Sequence, residues 1–167
     1  TAYEIPKRDW SSDVCSSDLF KRRSDWDEYL DKAGGVKDDV GGVDGIRFGA
    51  IDTDDDDMPD AKSVSYISEY LAKKHDQPFF LACGFKKPHM PFSVPKKYFD
   101  NFPLDRIKLP AVKEDDLNDV PPAGIRMAKP EGDHAAILRS GRWKEAVQAY
   151  LATISFMDTM LGRLLDA

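Results

Sequence analysis

The segment Lys86-Lys87-Pro88-His89-Met90-Pro91 sets an imidazole beside two ammonium groups and between two prolines. Proline fixes φ and reduces the backbone states a loop must give up, so the His89 ring is held in one direction at low entropic cost. That combination suits an anionic substrate. The ammonium groups supply charge, and an imidazole hydrogen-bonds or transfers a proton near neutral pH. On spacing alone, the same residues also describe a surface loop whose histidine satisfies a carbonyl. A second candidate group is His134 with Arg142 and Trp143, residue types that line sugar- or aryl-binding subsites; the plainer reading is a surface loop with Trp143 as a packing anchor.

Other chemistry-bearing residues read as ordinary structure. Six aspartates between Asp52 and Asp60 invite a calcium assignment. As an EF-hand loop starting at Asp52, however, the sixth position is Asp57 instead of glycine and the twelfth is Ser63 instead of glutamate. A solvated acidic loop leading into a helix is expected there. His75 closes that helix, where a partly positive imidazole suits the dipole. Cys15 and Cys83 lack CxxC or Cys/His spacing, which excludes a zinc cluster and a disulfide framework. Cys83 reads as a small buried hydrophobe.

The run that must position His89 is residues 79–84, continuously apolar and strand-sized. Such runs fit a central parallel strand covered on both faces, and ligands in open α/β sheets bind beyond the carboxyl ends of strands. Val64, Ile67 and Leu71 fall at i, i+3 and i+7, predicting a helix over 61–75 with Asp60 at its N-cap. Helix, short connection and buried strand make half of a βαβ unit. The expected class is therefore α/β, with a mostly parallel sheet flanked by helices.

Elsewhere, residues 46–51 alternate as a short strand and 95–99 form a short helix, whereas 20–44 and 101–140 read as polar, irregular loop. From about residue 142 to the end, Val147, Tyr150, Leu151, Ile154, Met157, Leu161, Leu164 and Leu165 trace the apolar face of a long helix.

The chain has 167 residues, about one domain's worth. A hydrophobic content of 41% supports a core and excludes a disordered acidic tail. The net charge of −6 argues against nucleic acid or an anionic membrane as partner, since both attract clustered positive charge. No apolar run approaches the length of a membrane span. Residues 9–19 resemble an in-frame translation of a sequencing adapter, so 1–19 are set apart from the fold.

A resemblance adds to this reading. Pro78-Phe-Phe-Leu-Ala-Cys-Gly-Phe-Lys-Lys-Pro-His-Met-Pro-Phe92, followed by Val94-Pro-Lys-Lys-Tyr-Phe-Asp100, closely resembles the middle of type I, formylglycine-dependent sulfatases, nearest the iduronate-2-sulfatase-like branch. Ile46-Arg-Phe-Gly-Ala50 and the stretch from Tyr150 to Leu165 continue it, so it covers nearly everything from residue 20 onward. The resemblance implies an alkaline-phosphatase-like fold and hydrolysis of sulfate monoesters of a small molecule or saccharide. It also implies a formylglycine nucleophile made in a C/S-x-P/A-x-R motif and a calcium ion beside the sulfate. His89 matches a sulfate-contacting histidine that hydrogen-bonds the ester and helps protonate the leaving alkoxide, and Lys87 adds positive charge.

Departures from the family pattern matter as much. Neither Cys15 nor Cys83 is followed by the proline or alanine and the arginine of the nucleophile motif. The acidic and amide pairs that bind calcium in the family are absent too. Residues 20–167 are thus expected to be the central part of a catalytic domain, truncated at both ends and without turnover alone. Two other functions share the pattern: a phosphodiesterase or phosphonate monoester hydrolase of the same superfamily, and a non-catalytic α/β domain binding acidic glycans through Lys86, Lys87 and His89.

Overall fold

The computed structural model describes residues 40–167. The expectations for residues 1–19, Cys15 included, and for the loop over 20–39 lie outside the described residues. The end of the expected loop is instead strand. β1 (Gly42–Val43) pairs antiparallel with β2 (Ile46–Ile51), Val43 opposite Ile46. Asp44-Gly45 makes the turn, with Asp44 at φ 47, a left-handed conformation that aspartate tolerates better than most residues.

After β2 a 3-10 turn (Asp55–Asp57) leads into α1 (Pro59–Leu71). The helix begins earlier and ends sooner than predicted. Pro59 occupies its first position, where a missing N–H costs nothing, so Met58 is the N-cap and Asp60 lies inside the first turn. Its end is set by Ala72, and His75 lies beyond it with Nε2 2.8 Å from the Tyr70 carbonyl and its ring stacked on Tyr70.

The expected strand at residues 79–84 does not form among the described residues. The parallel partner of β2 is β3 (Phe92–Pro95), in register Phe48 to Phe92 through Ile51 to Pro95. The βαβ unit is therefore β2–α1–β3, and the sheet is three-stranded in the order β1-β2-β3, with one antiparallel and one parallel pairing. β3 takes one edge of β2 and β1 pairs with Ile46 and Arg47 on the other, so residues 79–84 have no ladder partner among the described residues. Phe79 and Phe80 are accordingly exposed.

α2 (Lys96–Asp100) follows β3 directly, within a residue of expectation. The expected irregular stretch 101–140 holds two short helices, α3 (Pro122–Ala128) and α4 (Asp133–Ser140), and a 3-10 turn at Leu104–Arg106. Prolines there start elements as well as interrupt them, because fixed φ suits a first helical turn. α5 (Trp143–Leu165) runs as predicted.

The buried face of α5 differs from the predicted one. Ala146, Ala149, Ala152, Thr153, Phe156 and Met160 are buried, while Tyr150, Leu161 and Leu165 are exposed. The stripe is shifted by one residue, about 100° around the helix. Alanine there lets α5 lie close against the sheet and α1, and packing against such neighbours outweighs side-chain size in choosing the face. Two clusters form the core. Met58, Ala61, Val64, Val94, Tyr98, Ala152, Phe156 and Met160 make one, Phe48, Ile137, Ala146 and Ala149 the other, and Phe99 packs against both.

The acidic loop is not simply solvated. Asp55 is 5% exposed and its Oδ2 accepts from Lys97 Nζ at 2.7 Å, Tyr98 OH at 2.7 Å and Arg163 at 3.1 Å. Arg163 also reaches Asp56 at 2.7 Å. One carboxylate thus ties the 3-10 turn to α2 and α5. Burial, reinforced by the hydrogen bond to Asp55, pushes the Tyr98 phenol up to about 12.

Candidate active-site loop around His89

The loop from Phe85 to Pro91 is fastened at its base by a residue 26 positions earlier. Asp60, 4% exposed in the first turn of α1, accepts the backbone N–H of Lys86 on Oδ1 at 2.7 Å and that of Lys87 on Oδ2 at 3.0 Å. Phe85 packs against the first core cluster. The chain then turns: the His89 N–H donates to the Lys86 carbonyl at 2.9 Å, with Pro88 at the corner. The Lys87–Pro88 and Met90–Pro91 bonds are both cis.

Lys87 closes the loop from inside. Its side chain runs inward, 5% exposed, and Nζ donates to the Pro91 carbonyl at 2.7 Å and to Ser93 Oγ at 3.2 Å. Met90 Sδ receives the Arg47 N–H at 3.4 Å, which fixes the far side of the loop to β2. His89 itself is exposed, and its Nδ1 lies 2.6 Å from the Met90 carbonyl. A carbonyl only accepts, so Nδ1 carries the proton in that bond. Nε2 is then the atom left to face a ligand: an acceptor in the neutral ring, a donor in the protonated one.

The loop is placed differently from expectation. It enters β3 at its amino end, beside the start of β2, instead of leaving a buried strand at its carboxyl end. Cys83, on the approach to the loop, is half-buried. Burial and, secondarily, the charge of Asp60 push its thiol up, which disfavours the thiolate a nucleophile needs.

His134 and Trp143 do come together. His134 stands in the first turn of α4, exposed, with its ring edge-on to Trp143 at 5.1 Å and 87°. Trp143 packs against the second core cluster, as a packing anchor would. Arg142 donates to the Gly42 carbonyl at 3.3 Å, pairs with Glu145 at 2.7 Å and lies 4.7 Å from the centre of the Phe48 ring. Phe48 is the residue opposite Phe92, so this group and the His89 loop both adjoin the amino end of the parallel pair. Among the described residues, His89 shares no hydrogen bond or ring contact with His134 or Trp143.

Sequence reasoning missed Asp60 and Ser93 as supports of the loop. Nothing local signals them, since Asp60 is separated from Lys86 by a whole helix and its sequence context points only to a helix start. The described residues also do not fit a divalent cation. No three His, Cys, Asp or Glu side chains among them converge as ligands; Asp60 is taken by two backbone amides, and Asp55 by Lys97, Tyr98 and Arg163 on Oδ2, with its buried Oδ1 unpartnered.

Fold and loop together define a mixed α/β chain that presents one imidazole on a doubly fastened turn. The sulfatase family model matches residues 6–167. This chain belongs to the sulfatase family. It is 46% identical over 124 residues to a sulfatase of Formosa agariphila, covering 72% of this chain and 24% of that protein. It is 29% identical over 134 residues to human iduronate 2-sulfatase, covering 70% and 24%, and 32% identical over 110 residues to an arylsulfatase of Clostridium perfringens, covering 62% and 21%. The chain thus spans about a quarter of the length of these relatives. No solved structure matches it.

Proposed function

We propose that this chain is part of an enzyme that hydrolyses sulfate monoesters, those of sulfated saccharides among them, and that His89 is its contact with the ester. The observation that carries the reading is the geometry of one ring: Nδ1 bonded to its neighbour's carbonyl, Nε2 directed away from it, and the loop held at both ends. A protonated Nε2–H donates to a sulfate oxygen or to the bridging oxygen. As the S–O bond breaks, negative charge grows on the leaving oxygen, and the hydrogen bond strengthens into proton transfer. An alkoxide is a poor leaving group, so this assistance lowers the barrier where it is highest.

The other candidate residues take supporting roles on this reading. Lys87 contributes its charge from within the loop, and His134 with Trp143 offers an edge and a face for the organic part of the ester. The matching family implies an alkaline-phosphatase-like scaffold, a formylglycine nucleophile and a calcium ion. The calcium would supply electrostatic stabilisation of the sulfate; the described residues do not form its site. Because no cysteine or serine of the chain stands in the nucleophile motif, the 167 residues alone should not turn over.

The test is His89→Ala in an active sulfatase carrying these residues, assayed on an aryl sulfate and a sulfated saccharide. General acid assistance is worth about 10²–10⁴ in rate, so kcat should fall by that order while KM changes little. A variant with unchanged kcat and a raised KM would reduce His89 to a binding group. Faster turnover of a phosphodiester or a phosphonate monoester than of the sulfate ester by the parent enzyme would favour the phosphodiesterase reading.

A further inference from the structure

We infer that Asp60 is a positioning residue for His89, holding the imidazole in its working direction through the backbone amides of Lys86 and Lys87. The inference rests on the reading of His89 given above and adds to it the part that aims the ring. Its basis is a bridge with unusual economy. Two consecutive amides converge on the two oxygens of one carboxylate, at 2.7 and 3.0 Å. The carboxylate is 4% exposed and belongs to the first turn of a 13-residue helix whose Ala61, Val64 and Ile67 are buried. Charge-assisted bonds to backbone N–H groups are shorter and stronger than neutral ones, and burial removes the water that would compete for them.

What this bridge fixes is the starting point of the turn. The carbonyl of Lys86 accepts the His89 N–H, so the peptide that Asp60 grips at its N–H belongs to the residue whose carbonyl orients the histidine backbone. Beyond the turn, Lys87 Nζ and Ser93 hold the Pro91 side. With both sides held, the ring's bond to the Met90 carbonyl has one geometry to adopt. Asparagine at position 60 has nearly the same shape but presents one acceptor oxygen and one NH2 group. Facing two N–H donors, it must lose one bond and oppose donor to donor. The turn then shifts, and a misplacement of about 1 Å at a reacting group costs up to about 100-fold in rate.

The experiment is a double-mutant cycle in an active sulfatase carrying this chain, with Asp60→Asn, His89→Ala and the pair together, read as kcat and KM on an aryl sulfate. Asp60→Asn should lower kcat about 10–100-fold with KM nearly unchanged, and should lower it little further once His89 is alanine. Equal loss from Asp60→Asn with and without His89 would overturn the inference, since Asp60 would then act by another route. Unchanged kcat in His89→Ala would instead overturn the underlying reading of His89. If Asp60→Asn does not fold, amide exchange of the unsubstituted protein decides. Lys86 and Lys87 amides protected like those of α1 uphold the bridge, and exchange at the free-chain rate overturns it.

Discussion

Asp55 and Asp60 show how far a residue's role departs from its type. Both sit in a run of aspartates that composition assigns to solvent, and both are buried with specific partners. Hydrogen bonds made to a charged partner contribute roughly 1.5–3 kcal/mol each. Tyr98 gives a direct test. Its phenol is raised from about 10 to about 12 by burial and by Asp55, so the folded chain holds that proton more tightly than the unfolded chain does. The stabilisation is therefore complete below pH 10, falls as pH rises toward 12 and is gone above it. Urea midpoints followed across that interval should fall faster for the unsubstituted chain than for Tyr98→Phe. Parallel curves would show that the phenol does not titrate as described. None of this was legible in the sequence, where Tyr98 and Asp55 lie 43 residues apart.

Elements were more legible than their faces. The 3.6-residue period of α5 and the alternation of β2 follow from local sequence and were read correctly. Which stripe of α5 turns inward was not. The leucines marked the wrong side because the contact with the sheet and α1 is made by Ala146, Ala149 and Ala152 together with Phe156 and Met160, a mixture of small and large residues that a count of large apolar side chains does not pick out. Ala149→Leu should therefore destabilise the chain by about 1–3 kcal/mol through overpacking, whereas Leu161→Ala should cost well under 1 kcal/mol. Chemical denaturation of the two variants decides the matter, and the reverse ranking would return the buried face to the leucine side. The apolar run at residues 79–84 failed for a related reason: apolarity permits a buried strand but does not supply its ladder partner.

At the scale of the whole molecule, α1 and α5 are the frame. α1 carries Asp60, α5 meets the sheet, α1 and α2, and Phe99 joins the two core clusters. Stability should be distributed accordingly. In amide exchange on this chain, β2, β3 and the middle of α5 should be the slowest to exchange, residues 80–84 among the fastest, and Lys86 and Lys87 protected again immediately afterwards. Slow exchange through 80–84 would mean a ladder partner for that run. Among the described residues no helix is long and apolar enough to cross a membrane. By itself the sequence determined what is encoded locally: the mixed α/β class, the periods of β2, α1 and α5, and a proline-flanked histidine whose neighbours match the sulfatase family. Only the tertiary structure decided which strand pairs with β2, which side of α5 is inside, and that an aspartate 26 residues away grips the histidine loop. Those are choices among partners distant in the chain, and they are made by packing and by the need of buried polar groups for one another, neither of which has a fixed spacing in sequence.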